Sequence, residues 1–178
     1  MGTGQMMLTI GALALLSLAI LNLNSNINNN DISLAQNRYR LEALSLITSY
    51  LEQATMYFFD EASTDTASAK LLTDFTPAKD LGLEGLDSTQ IDDFDDFHNM
   101  TIIDTGLSGV IYKVMFKVDY VQIVGDSIKP SGNREWNKRM TISVTDNYPE
   151  PLLYKNVTGD KVRDTLTVSF VNSYWFYN

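Results

Sequence analysis

Gln5-Met-Met-Leu-Thr-Ile-Gly-Ala-Leu-Ala-Leu-Leu-Ser-Leu-Ala-Ile-Leu-Asn-Leu23 is the stretch on which the reading of this chain turns. Leu, Ala and Met are strong helix formers and no proline interrupts them, so the run predicts a helix. It is apolar on every side rather than along one stripe, so it must be covered all round. Some 18 residues at about 1.5 Å each reach roughly 27 Å, just short of a hydrocarbon core. Three destinations suit such a helix: a cleaved secretory signal, a permanent single-pass anchor, or a helix held first in a membrane and later in a protein bundle. Met-Gly-Thr-Gly lacks the basic start of a secretory signal, and Asn22 to Asn30 is a poor cleavage site. Gly11, Ala12, Ala14, Ser17 and Ala19 let helices approach closely, which favours the bundle.

Charge divides the chain in the same way. Met1 to Asn30 carries no ionisable side chain, and the 13 basic residues, 22 acidic residues and single histidine all lie from Asp31 onward. A net charge of −9 and the lack of any long Lys/Arg run argue against nucleic acid as a partner, because a phosphate backbone needs a basic patch. With no cysteine, a disulfide framework, thiolate metal sites and a Cys nucleophile are excluded.

After the apolar run, Leu21 to Asn30 is rich in Asn, which competes for its own backbone and weakens a helix, so residues 25–30 read as a flexible linker. Helix is expected to resume at Asp31 or Ser33 and to end around Asp60 to Ser63. Leu34, Leu41, Leu44, Ile47 (or Thr48), Leu51, Ala54 and Phe58 fall at three- to four-residue spacing, a stripe expected to face a sheet. Residues 64–99 are rich in turn signals. The period then changes to two. Strands are expected at Met100–Thr105, Val110–Val124, Trp136–Thr145 and Asp164–Tyr177, with a turn at Pro130–Asn133. The expected fold is α+β: a long N-terminal helix, apolar in its first half and amphipathic in its second, packed on a small antiparallel sheet. The organisation read from this is 1–4 as a short leader, 5–24 as the apolar helix, 25–30 as the linker, 31–63 as the amphipathic helix, and 64–178 as loop region and β head.

This order resembles the type IV pilin-like superfamily of pilins, minor pilins and pseudopilins. In that family the apolar half-helix anchors the subunit in the membrane before assembly and forms the filament core afterwards. The leader is cut after a glycine, and Gly4-Gln5 matches that junction. Ile91-Asp-Asp-Phe-Asp-Asp-Phe-His-Asn99 looks like the Asp-Asp-x-Asp-Asp-Tyr-His-Gly motif of minor pilins related to the mannose-sensitive haemagglutinin pilus. Two departures stand out. The family's glutamate at the fifth mature position is replaced by Thr9, and the leader is four residues long without a basic residue. The resemblance implies a non-enzymatic structural subunit of an extracellular filament reached through the cytoplasmic membrane. Its partners are identical subunits in a helical homopolymer and a pilus assembly machinery, with Thr9, Gly11 and Ser17 on the assembly helix. The alternatives are a single-pass anchored protein with an exported ligand-binding or sensory domain, and a minor pseudopilin of a secretion system.

Asp87, Asp92, Asp93, Asp95 and Asp96 place five carboxylates within ten residues. Calcium, the one cofactor considered, is held by several oxygens from a flexible loop, although the spacing is not that of an EF-hand. The plainer reading is an acidic turn pinned to the core by Phe94 and Phe97. His98 has no second histidine or cysteine to form a metal set and reads as a locally bonded loop side chain. Asn99-Met-Thr101 and Asn156-Val-Thr158 fit the glycosylation acceptor pattern. The aromatic end, Tyr174-Trp-Phe-Tyr177, reads as a strand apolar on both faces, covered by the helix and by a neighbouring subunit. No nucleophile elbow, phosphate loop or zinc motif occurs.

Overall fold

The computed structural model describes residues 2–64, 70–82 and 91–174. The chain divides into two units, Met1–Tyr39 and Arg40–Asn178. One helix, α1 (Thr3–Thr55), supplies the first unit and opens the second. The expected break at residues 25–30 is absent: the Asn-rich segment is helical throughout. The physical reason is cooperativity. Asn costs a few tenths of a kcal/mol more than Leu, roughly, and each residue added to an existing helix still gains a hydrogen bond. Ser33 Oγ also donates back to Asn29 O at 2.9 Å.

The helix stops at Thr55 rather than near Ser63. Phe58 instead forms an isolated parallel bridge with Asp93, and Phe94 N–H donates to Phe58 O at 2.8 Å. Asp60 then caps a 3₁₀ turn at Glu61–Ser63, accepting from Ala62 N–H and exchanging bonds with Ser63. Two further 3₁₀ turns follow, Leu72–Asp74 and Asp95–Phe97.

The strands are β1 (Thr101–Thr105), β2 (Ile111–Val124), β3 (Ser127–Pro130), β4 (Asn137–Asp146), β5 (Tyr154–Val157), β6 (Asp160–Arg163) and β7 (Leu166–Ser173). The main sheet runs β1-β2-β4-β7 with β3 paired to β2, every pairing antiparallel, and β5–β6 is a separate hairpin. The α+β expectation therefore holds. The hairpin and β3 are additions, since each has only four residues and leaves a weak period-two signal.

Alternation separates the faces of the sheet. Tyr112, Val114, Phe116, Val118 and Tyr120 of β2 and Met140, Ile142 and Val144 of β4 are buried. The intervening residues form a polar face, where Thr141 meets Ser169 and Ser143 meets Thr167 in hydroxyl pairs, and Arg139 binds Asp119 at 2.6 Å. The helix residues buried in this unit are Ala43, Ile47 and Ala54, and Tyr50 lies edge-on to Phe116 with ring centroids 5.3 Å apart.

The expected stripe is thus rotated. Ile47 and Ala54 belong to the core, but Leu34, Leu41, Leu44 and Phe58 are exposed, and Leu51 is half-buried. Ala43 is buried in place of Leu44 while Ile47 and Ala54 keep their places, so the face shifts by roughly 50°, half of one residue step. Glu42 accepts from Ser108 Oγ at 2.5 Å and from Tyr112 Oη at 3.2 Å.

Candidate functional site

Two features follow from these elements, one in each unit. In the first, every large apolar side chain from Met6 to Leu23 is more than half exposed. By length and composition this segment can cross a membrane. Thr9 Oγ1 donates to Met6 O and Ser17 Oγ to Leu13 O, each at 2.9 Å, so both hydroxyls are satisfied within their own helix and present no unmet donor to apolar surroundings. Gly11 has nothing within 4 Å of where a Cβ would stand, leaving a notch open to a close neighbour. Gly4 and Gln5 lie in the first turn of α1, where Gln5 N–H donates to Gly2 O at 3.0 Å.

The second feature is the acidic turn. Asp87 lies outside the described residues. Asp92 is exposed, whereas Asp93, Asp95 and Asp96 are buried, as are Phe94 and Phe97. Their carboxylates face inward to specific partners. Asp93 Oδ1 accepts from the peptide N–H groups of Asp95 (2.9 Å) and Asp96 (3.1 Å). Asp96 Oδ2 accepts from those of Asp92 (2.9 Å) and Asp93 (3.3 Å). Asp95 Oδ1 takes the ammonium of Lys138. Among the described residues, no three of His, Asp and Glu are grouped to hold a metal ion. The pinning role of the phenylalanines is visible in their contacts: Phe94 is edge-on to Phe170 at 5.5 Å, and Phe97 packs on Tyr57 and Phe116.

Lys138, missed in the sequence, is the centre of this region. It is fully buried on β4, and its Nζ donates to Asp60 Oδ2 (2.7 Å), to Asp95 Oδ1 and to Phe59 O (2.8 Å). The rings of Phe59 and Tyr120 lie 4.7 and 5.3 Å from the ammonium. Asp60 is shared further, accepting from Thr76 N–H on both oxygens and from Tyr120 Oη at 3.3 Å. Crowding of carboxyls in a dry site has the expected consequence. Burial, reinforced by the neighbouring Asp95 charge and opposed by Lys138, raises the Asp93 carboxyl from 3.8 to about 7. Burial also raises Asp95 and Asp96, against the lowering pull of Lys138 on the first and of peptide N–H bonds on the second.

His98 bonds through Nδ1, which accepts the Val118 N–H at 3.1 Å. Asn99 and Asn156 are exposed, on left-handed backbone and on β5 respectively. Of the aromatic end, only Tyr174 is described. It stacks on Trp136 and packs against Phe59 and Phe75. Compared with family models, with curated proteins and with solved structures, the chain matches none of them.

Proposed function

We propose that this chain is a structural subunit of a type IV pilus-like extracellular filament, held in the cytoplasmic membrane before assembly and joined to identical subunits through its N-terminal helix. The observation that carries the reading is the uncharged helix surface from Met6 to Leu23, exposed on every side and notched at Gly11. A surface of that kind is stable in lipid or among like helices. Exchange between the two costs little hydrophobic free energy, because lipid tails are as apolar as leucine, so packing of small residues decides the association. Contacts between identical subunits that do not close on themselves generate an open helical polymer. Exposed Leu34, Leu41 and Leu44 extend the apolar surface along α1.

Thr9 gives this helix a neutral residue where the resemblance puts a glutamate. In the proposed assembly, cohesion therefore comes from shape and dispersion rather than from pairing with a neighbour's amine. The test is to shear cells expressing the chain, pellet the supernatant and image the pellet. Fibres that carry this chain, at subunit-resolved density with α1 at the core, are the expected result. Recovery of the protein in membranes alone overturns the proposal in favour of an anchored exported domain.

A further inference from the structure

The buried lysine brings together the reactants of a condensation. Lys138 Nζ, on β4, is in direct contact with Asp95 Oδ1, on the 3₁₀ turn Asp95–Phe97, and lies 2.7 Å from Asp60 Oδ2. The three side chains are almost wholly shielded from solvent, and the Phe59 and Tyr120 rings flank the nitrogen. An amine held against a carboxyl, with a second carboxyl on the same nitrogen and water excluded, is poised for amide formation. We propose that Lys138 and Asp95 join in an intramolecular isopeptide bond, formed by the folded chain itself with Asp60 relaying the proton.

The step balances without a co-reactant. One ammonium proton passes to the Asp95 carboxylate, leaving a neutral amine and a carboxylic acid. Nζ attacks Asp95 Cγ, forming the C–N bond. Asp60 takes a second proton from the nitrogen and delivers it to the Asp95 hydroxyl oxygen. The C–O bond breaks and water leaves. The third nitrogen proton remains as the amide N–H, with Phe59 O at 2.8 Å from Nζ as a ready acceptor.

The two aspartates are held differently, which assigns their roles. Both Asp60 oxygens already accept bonds from Thr76 and Ala62 peptide groups, and Tyr120 Oη donates to one of them. Loss of an Asp60 oxygen orphans buried donors, a costly outcome. Asp95 meets the lysine through Oδ1, and burial favours its protonated form. Energetics point the same way. A buried ion pair carries a desolvation penalty that a neutral amide does not, and fixed proximity supplies the high effective concentration that condensation needs. The bond closes a loop containing β1, β2 and β3 and ties the acidic turn to the sheet. It does not depend on assembly into a filament.

Intact-mass spectrometry of the full chain tests this. The expected mass is one water below that of the same polypeptide without the bond. Trypsin should skip Lys138, and a branched peptide should join Lys138 to Asp95. Lys138→Arg should restore the water. Asp60→Asn should slow bond formation about 100-fold, the scale of a lost acid–base group. A full mass with free cleavage after Lys138 overturns the proposal, even if neither variant folds. A branch mapped to Asp60 overturns the assignment of Asp95. An Asp60→Asn protein that is folded by near-UV circular dichroism and cross-links at the wild-type rate overturns the relay.

Discussion

Ile47 and Leu44 lie three residues apart on α1, and a count of apolar spacing places both in the core. The structure separates them: Ile47 is 1% exposed and Leu44 is 44% exposed. Truncating each to alanine therefore gives unequal losses. Ile47→Ala removes three carbon groups at about 0.8 kcal/mol each and leaves a void between helix and sheet, so the expected loss is about 3–4 kcal/mol. Leu44→Ala removes as many groups from a half-wet position, leaves no enclosed cavity and gains slightly in helix propensity, so the expected loss is about 1 kcal/mol or less. The assay is urea unfolding of the full chain in mild detergent, followed by tryptophan fluorescence. Trp136 reports on the head because it is stacked on Tyr174 and edge-on to Phe75. Equal losses, or a larger loss at Leu44, refute the helix orientation described above.

Gly106 tests the other end of the same interface. A Cβ there meets Tyr112 Cε2 at 2.7 Å and Glu42 Oε2 at 2.8 Å, so Gly106→Ala should cost about 1–3 kcal/mol in the same unfolding assay. Arg163 reaches Asp146 O at 2.7 Å and lies 3.6 Å from the buried Asp146 Oδ2, which has no hydrogen bond. Arg163→Met leaves that carboxylate uncompensated and should destabilise by about 2 kcal/mol in urea, discounted because the arginine is partly exposed. The Asp93 carboxyl is raised by burial from 3.8 to about 7, so its proton is held more tightly in the folded chain than in the unfolded one. Its contribution is complete below about pH 4 and is lost as pH rises through about 7. Asp93→Asn keeps an oxygen for the Asp95 and Asp96 peptide groups, so urea midpoints across that window should fall less steeply than in wild type. Gly11→Leu falls in the unit that Trp136 does not report, and nothing lies within 4 Å of its Cβ, so it should leave the urea midpoint of the head unchanged while lowering the yield of sheared fibres.

The sheet was legible because its signal is local. Alternation in Ile111–Val124 and Asn137–Asp146 marks half-buried strands from composition alone, and their bounds fall within a residue or so of those expected. The helix face was less legible. Spacing found Ile47 and Ala54, but it chose Leu44 where the buried residue is Ala43, and it left out Tyr50, which lies edge-on to Phe116. Leucines at 34, 41 and 44 are exposed. Their apolar character is therefore a surface property of this helix, in keeping with the proposed covering by neighbours. The Asn-rich segment misled for a different reason. Local competition by Asn is a matter of tenths of a kcal/mol, and cooperativity between two strong flanking helices exceeds it.

The acidic turn shows where a sequence signal existed but pointed inward. Five carboxylates close together invite a cation, and the cation the fold supplies to Asp95 is Lys138, 43 residues further on. Spacing within the turn could not find it, because antiparallel pairing and the helix end bring Asp60, Asp95 and Lys138 together from three elements. The phase of β4 could. Lys138, Met140, Ile142 and Val144 share the inward register, and Lys138 stands opposite Tyr120 of the equally inward β2 set. A lysine on the buried phase of a central strand must meet a counter-charge or give up its proton. In an acidic chain whose one dense carboxylate group lies between helix and sheet, that group is the natural place for the partner. An ammonium fixed against carboxylates in a dry core is also held in the arrangement from which an amide can form.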